Sequence, residues 1–507
     1  MVTAPSSEDI EKVDSPIHAS IHDENLPAVE PKLSRKGLPL IPQPSDDPFD
    51  PLNFASWRKI LILLVMCVWT IIGPLNMISV ASAFFPISEE LHMSLNSVTY
   101  LVGAPLLSYG VASLIWVSVG NRYGVRLVFV FTSLATGLFC IWGALADSSG
   151  SLIAARTLAS IFSASPETLG PQAIADVFFL HDRAKCMGLY VLFQASGFAV
   201  GSLIGGYITA DLGWRWIQWT VAFLSLGACL LLFLFFPETQ YTRQSGNLHH
   251  RQPKIWDNFR FWAVSGGGRS KVDSLWKSFC FPFKYLPHPA VIAMTIHYSI
   301  MLMATNYMLT SNTFIYTDVY NFNIKQIALT GFAPLIAVWI AIPYCGILND
   351  VVISRLRKRG NFLPEWRLSF FVPTCIIGPV GCIVVGVCAQ NKSPWIAPLI
   401  GEALVMFCFV TANNLTQTYL VDIYEARADA TLVVLNGFKN FAAFGISYAV
   451  VPWNTSAGYA EPFGILAMLI FVAHIPIFIF WWRGKQIREW SAKHWKEAQP
   501  SHHGDAF

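Results

Sequence analysis

Runs of about twenty apolar residues recur along this chain, and no other feature constrains its fold as much. A run of that length crosses a hydrocarbon core as a helix. Within lipid, only helices or closed barrels satisfy their own backbone hydrogen bonds. The runs fall at roughly 60–85, 98–119, 127–146, 152–176, 186–209 and 216–236, then at roughly 290–313, 326–348, 369–389, 395–418, 430–451 and 463–482. About twelve spans in two groups of six predict an all-α integral membrane protein. Composition agrees, with 13% charged residues among 507, where a soluble domain carries about 25%.

The expected organisation is a disordered tail over 1–55, a six-helix bundle over 56–237 and a polar middle loop over 238–288. A second bundle follows over 289–482, then a tail over 483–507. The first run follows Trp57-Arg58-Lys59 directly and reads as an uncleaved anchor rather than a signal peptide. The ten cysteines stand singly, without metal or disulfide spacing. No phosphate-binding Gly-x-x-x-x-Gly-Lys-Ser/Thr is present, which argues against ATP-driven pumping. Paired acids and nucleophile elbows are missing too, so no enzyme, cofactor, metal or nucleic-acid partner is expected. The expected partners are lipid, a small molecule and protons, and the chain reads as a monomer.

Basic residues set the orientation. Arg122, Arg126, Arg183, Lys185, eight residues from Arg243 to Lys284, Arg355 to Arg359, Arg367 and Arg427 fall in alternate connections. The opposite connections hold only Arg215, Lys325 and Lys392. Both termini and the middle loop are therefore expected in the cytoplasm, with the plasma membrane as location. Glycosylation sequons at Asn391 and Asn454 fall in loops this assigns outside, whereas a third, at Asn414, lies within a span.

Residues 152–208 carry the densest information. They read as two helices, Leu152 to Phe179 and Cys186 to Ile208, joined by a polar turn at 181–185. The first holds Arg156, Glu167 and Asp176; the second holds Gln194 and the ladder Gly197, Gly201, Gly205 and Gly206. A charge at mid-membrane costs about 2.5–3.5 kcal/mol on insertion scales, so such residues usually face a cavity or a partner. Glycines four apart let a second helix approach closely. The plain alternative is ion pairing and packing with no transport role.

The second six spans repeat the first. Ala175-Asp176-Val177-Phe178 aligns with Val421-Asp422-Ile423-Tyr424, an offset of 422 − 176 = 246. The same offset sets Arg156 on Glu402, Glu167 on Asn413 and Gln194 on Asn440. Parallel repeats of this kind place a substrate site near mid-membrane, between the halves.

From Asp47 to Trp482 the chain resembles the major facilitator superfamily, and within it the fungal twelve-span drug:proton antiporter branch. The matching pieces are Asp47-Pro48-Phe49-Asp50-Pro51-Leu52-Asn53, Asn121-Arg122-Tyr123-Gly124, Gly213-Trp214-Arg215-Trp216, Phe236-Pro237-Glu238-Thr239 and Pro364-Glu365-Trp366-Arg367-Leu368. Three departures stand out: Asn121 replaces the acid of the first gating loop, Ser202 the proline of the fifth-helix motif, and Ala159-Ser160 the usual Gln-Gly after Arg156. The second gating loop, Gly346 to Asp350, keeps its acid.

The resemblance implies alternating-access transport, with Arg122 and Arg126 forming an inner latch with Asp176 and Gly124 permitting the tight turn between spans. The plain reading of that latch is a surface ion pair worth at most about 1 kcal/mol. Glu167 lies eleven residues beyond Arg156, about 16 Å along the helix, so the two are not expected to pair. Glu167 is the first candidate proton carrier, followed by Asp176 and Glu402. For Arg156 and Glu402 two readings stand open, pairing across the interface or lining the outer vestibule. Gln172, Gln194, Asn306, Tyr307, Asn413, Asn414, Gln417 and Lys439 are the remaining cavity candidates, Lys439 within geometric reach of Glu167. His297 reads as packing. The expected function is proton-coupled efflux of a drug, toxin or secondary metabolite. An uptake carrier for a polyamine or vitamin-like nutrient and a non-transporting sensor are the alternatives.

Overall fold

The computed structural model describes residues 42–241, 275–358, 363–424 and 428–494. Most of the N-terminal tail and middle loop, part of the C-terminal tail, Arg359 and Arg427 lie outside the described residues. The described chain is helical. α1 spans Ser56–Ser79 and continues through a 3-10 turn into Phe84–Glu90. α2 is Tyr100–Tyr123, α3 Val125–Ala144, α5 Leu180–Leu212 and α6 Arg215–Phe235. Between them α4 comes in two pieces, Ser149–Ser163 and Ser165–Val177. In the second half α7 is Pro289–Phe314, α9 Phe371–Gln390, α10 Ile396–Ile423, α11 Ala428–Ser447 and α12 Ala460–His494. α8 runs over Ile324–Leu356, with a π-helical stretch at Pro343–Leu348.

Packing repeats with the same period of six spans. α1 packs on α5 as α7 packs on α11; α3 packs on α6 as α9 packs on α12; α2 packs on α4 as α8 packs on α10. Two seams join the bundles, α2 against α11 and α5 against α8, and these are again related by six. This is a pair of pseudo-symmetric six-helix bundles.

Lipid exposure inverts the usual surface. On α3, Leu127, Phe131, Leu134 and Leu138 form an exposed stripe at helical spacing, while Thr132, Ser133 and Thr136 are buried. Exposed tryptophans mark both membrane boundaries. Trp57, Trp366 and Trp482 stand at the end shared with the termini, and Trp142, Trp216 and Trp395 at the other. Among the described residues, nine helices are long and apolar enough to cross by themselves, and α7 joins as part of a bent pair. The two spans that fall short are α4 and α11. They are the spans that carry the buried charges Glu167 and Lys439.

Several boundaries differ from the sequence expectation. Residues 42–55 are folded rather than disordered: the Asp50 carboxylate accepts from Ser45 N and Oγ and from Leu52 N, each at 3.0 Å. Tyr241 donates its hydroxyl to Asp47 at 2.9 Å, tying the two ends of the first bundle together. α4 breaks at Ala164, ahead of Pro166, whose ring has no N–H to continue the ladder. The expected polar turn at 181–185 is the first turn of α5, and α12 runs on to His494 rather than stopping at 482.

The glycine ladder explains the α1–α5 seam. A Cβ on Gly197 would lie 2.6 Å from the Ile71 carbonyl oxygen, on Gly201 2.8 Å from that of Leu75, and on Gly205 2.2 Å from that of Ser79. Only hydrogen fits at these positions. Gly206 faces elsewhere, against Ala328 of α8, and so belongs to the seam between the halves.

Candidate functional site

The two bundles close on a small central cavity. α1 lines it with Pro74 and Met77, α2 with Tyr109 and α4 with Glu167; α5 adds Gln194, Ala195 and Phe198. The second half contributes Tyr298 and Leu302 of α7, Phe409 and Asn413 of α10, and Lys439 and Asn440 of α11. The sequence repeat reappears here as geometry. Glu167 and its counterpart Asn413, and Gln194 and its counterpart Asn440, all face the same space. At about 20 Å³ the cavity has room for roughly a single water.

Glu167 and Lys439 form an ion pair across the cavity, each side chain only 5% exposed. Lys439 Nζ also donates to the Tyr298 hydroxyl at 3.0 Å, and lies 4.5 Å from that ring's centroid. Glu167 Oε2 has no hydrogen-bond partner among the described residues. The arrangement is asymmetric: Lys439 is held twice within or beside its own bundle, while Glu167 is joined to it only across the interface. Tyr298 in turn stacks on Phe409, centroids 5.9 Å apart, and Phe409 meets Phe198 edge-on at 6.0 Å. The cavity therefore offers one carboxylate, one ammonium, three carboxamides and several aromatic faces.

A family model described as the Major Facilitator Superfamily matches residues 60–447. The chain belongs to the Major Facilitator Superfamily. It is similar to the MFS antiporter QDR3 of Candida albicans, 23% identical with 94% of this chain and 84% of that protein covered. The multidrug transporter TPO1_2 of Candida glabrata is 25% identical, with 85% and 75% covered. Among solved structures, a D-xylose-proton symporter superposes with a TM-score of 0.60 at 14% identity, covering 84% of this chain and 97% of that one. That likeness establishes the fold alone. As a member of this superfamily the chain is a secondary transporter.

Other candidate residues of this transporter sit apart from the cavity. Arg156 and Glu402 do not pair. Arg156 donates to the carbonyls of Leu101 (2.9 Å), Asn76 (2.8 Å) and Met77 (3.1 Å). Pro105 explains the first of these: it lacks the N–H that would bond the carbonyl four residues back, and Arg156 fills that place. The other two lie where α1 gives way to its 3-10 turn. Glu402 is fully buried and accepts from Asn312 and from the Tyr316 hydroxyl, both at 2.9 Å.

Gln172 belongs to the inner loop rather than the cavity, donating to Asn121 at 3.0 Å. Asn306 donates to the Ala443 carbonyl and to Ser447. Gln417 donates to the cavity residue Asn413, and Asn414 is buried off the lining. Tyr307 donates to Asn454 at 2.5 Å, and Asn454 donates to Ser311. Asn454 is thus no loop residue: it lies in the helix Val450–Ala457 with both amide atoms engaged. Asn391 is exposed.

At the inner face, Gly124 has φ +98°, and a Cβ there would lie 2.2 Å from Glu238 Oε2. The Glu238 carboxylate accepts from the N–H groups of Val125 and Arg126, at 3.1 and 3.3 Å, capping the positive end of α3. That is the local role of the Pro-Glu-Thr motif after α6. Arg126 donates to the Phe233 carbonyl, Arg122 lies over Tyr123, and Asp176 ends α4 on this side. The second half carries a link at the corresponding place. Arg367 bridges Asp350 at 3.0 Å and Asp422 at 2.5 Å, and Asp422 is the repeat counterpart of Asp176. Gly346 has open space around it, within the π-helical stretch of α8. Arg367 and Tyr298 were both missed as site residues. Arg367 had a signal, a lone arginine at the mouth of α9 as Arg126 is at the mouth of α3. Tyr298 had none.

Proposed function

We propose that this transporter exports an amphipathic organic molecule in exchange for protons, with Glu167 as the proton carrier. The observation that carries the reading is the Glu167–Lys439 pair, whose partners come from different halves and face the central cavity. An ionised Glu167 holds the halves together at this point. A proton on Glu167 removes the charge and loosens the link, while Lys439 stays with Tyr298 in its own half. A buried pair broken on one side leaves an uncompensated charge worth about 3–5 kcal/mol, so protonation and rocking of the halves are energetically linked. The antiporter and multidrug-transporter names of the relatives support the efflux direction. The basic connections support an orientation with both termini cytoplasmic, the fungal transporter relatives support a plasma-membrane location, and a monomer suffices because the cavity is lined from within one chain.

The test is flux in proteoliposomes with an imposed pH gradient, using compounds selected by comparing the sensitivity and accumulation of cells with and without the protein. Substrate moving against the proton flow supports the reading. Substrate moving with the protons identifies a symporter, and no flux of any selected compound identifies a sensor.

A further inference from the structure

The segment just before α7 does not continue its direction. Leu275–Tyr285 meets Pro289–Val319 at 90°. Since α7 crosses the bilayer, this segment lies in the membrane plane, at the boundary marked by Trp57, Trp366 and Trp482. Its composition is that of an interfacial helix. Trp276 is 71% exposed and stacks on Phe279. Lys277, in the helix Leu275–Cys280, and Lys284, in the 3-10 turn Pro282–Tyr285, are both exposed. Among the described residues, neither lysine has an acidic partner. The opposite side is anchored: Tyr285 is fully buried against Tyr424, and Phe283 meets Phe438 of α11. The Leu275–Cys280 turn packs on α2. The segment therefore straps the α2–α11 seam.

We propose that this strap is a binding site for anionic phospholipid of the leaflet on the side of the termini, with Trp276 set among the headgroups and Lys277 and Lys284 on the phosphate and carboxylate groups. An aromatic beside two unpaired lysines in the membrane plane complements an anionic headgroup layer. Lipid held there touches a strap that contacts both bundles.

The experiment uses the full chain in nanodiscs of phosphatidylcholine mixed with phosphatidylserine, followed by native mass spectrometry of the lipid retained. Each lysine near an anionic surface is worth about a fivefold change in affinity, so Lys277→Gln with Lys284→Gln is expected to lower retained phosphatidylserine on the order of thirtyfold in affinity, leaving phosphatidylcholine unchanged. Equal retention of phosphatidylserine by the wild type and the double variant overturns the proposal. A second measurement stands apart from that variant: a nitroxide on Trp276→Cys, in a chain lacking the native cysteines, is expected to collide with oxygen more than with a water-soluble nickel chelate. Collision chiefly with the chelate places the strap in water and overturns the proposal equally. Neither readout depends on transport.

Discussion

Glu167 on α4 and Lys439 on α11 meet at the centre of the molecule, one from each six-helix bundle, both nearly excluded from solvent. Glu167 stands in the second piece of the broken span, Ser165–Val177, just after the break at Ala164, and Lys439 lies within the continuous helix Ala428–Ser447.

Glu167→Gln is expected to abolish acceleration of transport by a pH gradient, while substrate exchange without a gradient persists, because glutamine keeps the shape and the hydrogen bonds. Gradient-driven flux at the wild-type rate, with equal protein in the membrane, would show that the proton travels elsewhere.

The same pair makes a stability prediction. Either Glu167→Gln or Lys439→Met alone leaves a buried charge without its counter-charge, a loss of up to about 3–5 kcal/mol for a broken buried pair, even where glutamine still accepts a hydrogen bond from Lys439. Removing both charges leaves nothing uncompensated. The melting temperature in detergent is expected to fall in each single variant and to recover in the double variant, which stays uncoupled from protons. A double variant as unstable as the sum of the singles contradicts the pairing.

The α1–α5 seam separates positions by the space around them. Gly205→Ala places a methyl 2.2 Å from the Ser79 carbonyl oxygen, whereas Gly188→Ala on the same helix meets nothing within 4 Å. Overpacking costs about 1–3 kcal/mol, while alanine in an open helical position gains up to about 1 kcal/mol over glycine. Thermal unfolding is expected to shift down in the first variant and to hold or rise in the second.

Much of this was legible from residue order. The offset of 246 alone put Glu167 opposite Asn413 and Gln194 opposite Asn440, and the glycine ladder identified its helix as one that packs closely. What the sequence did not reveal were partners supplied by backbone. Arg156 reads as a charge seeking an acid, yet its partners are three carbonyls, one of them freed by Pro105 fifty-one residues away. Asn454 reads as a loop sequon, but its amide is engaged by Tyr307 and Ser311. Side-chain patterns carry periodicity and charge; they do not show which main-chain groups a proline or a helix break leaves unbonded.

The last prediction concerns the side of the molecule away from the termini, which this state holds shut. There Asp211 at the end of α5 pairs with Lys325 at the start of α8 at 2.5 Å. Beneath them the helices cross closely: a Cβ on Gly206 would lie 2.5 Å from Ala328, and one on Gly331 3.2 Å from the Ala199 carbonyl oxygen. Tyr100 and Tyr448 close the other seam, centroids 4.7 Å apart. The Asp211–Lys325 pair is half exposed on both sides, so its own strength is at most about 1 kcal/mol, and Lys325→Ala alone is expected to leave transport within about twofold. A covalent link at the same place has a different effect, because alternating access requires this seam to part. Asp211→Cys with Lys325→Cys, joined by a short bis-maleimide in a chain lacking the native cysteines, is expected to stop transport, while either single cysteine treated alike remains active. Full transport by the cross-linked protein would show that α5 and α8 do not separate during the cycle.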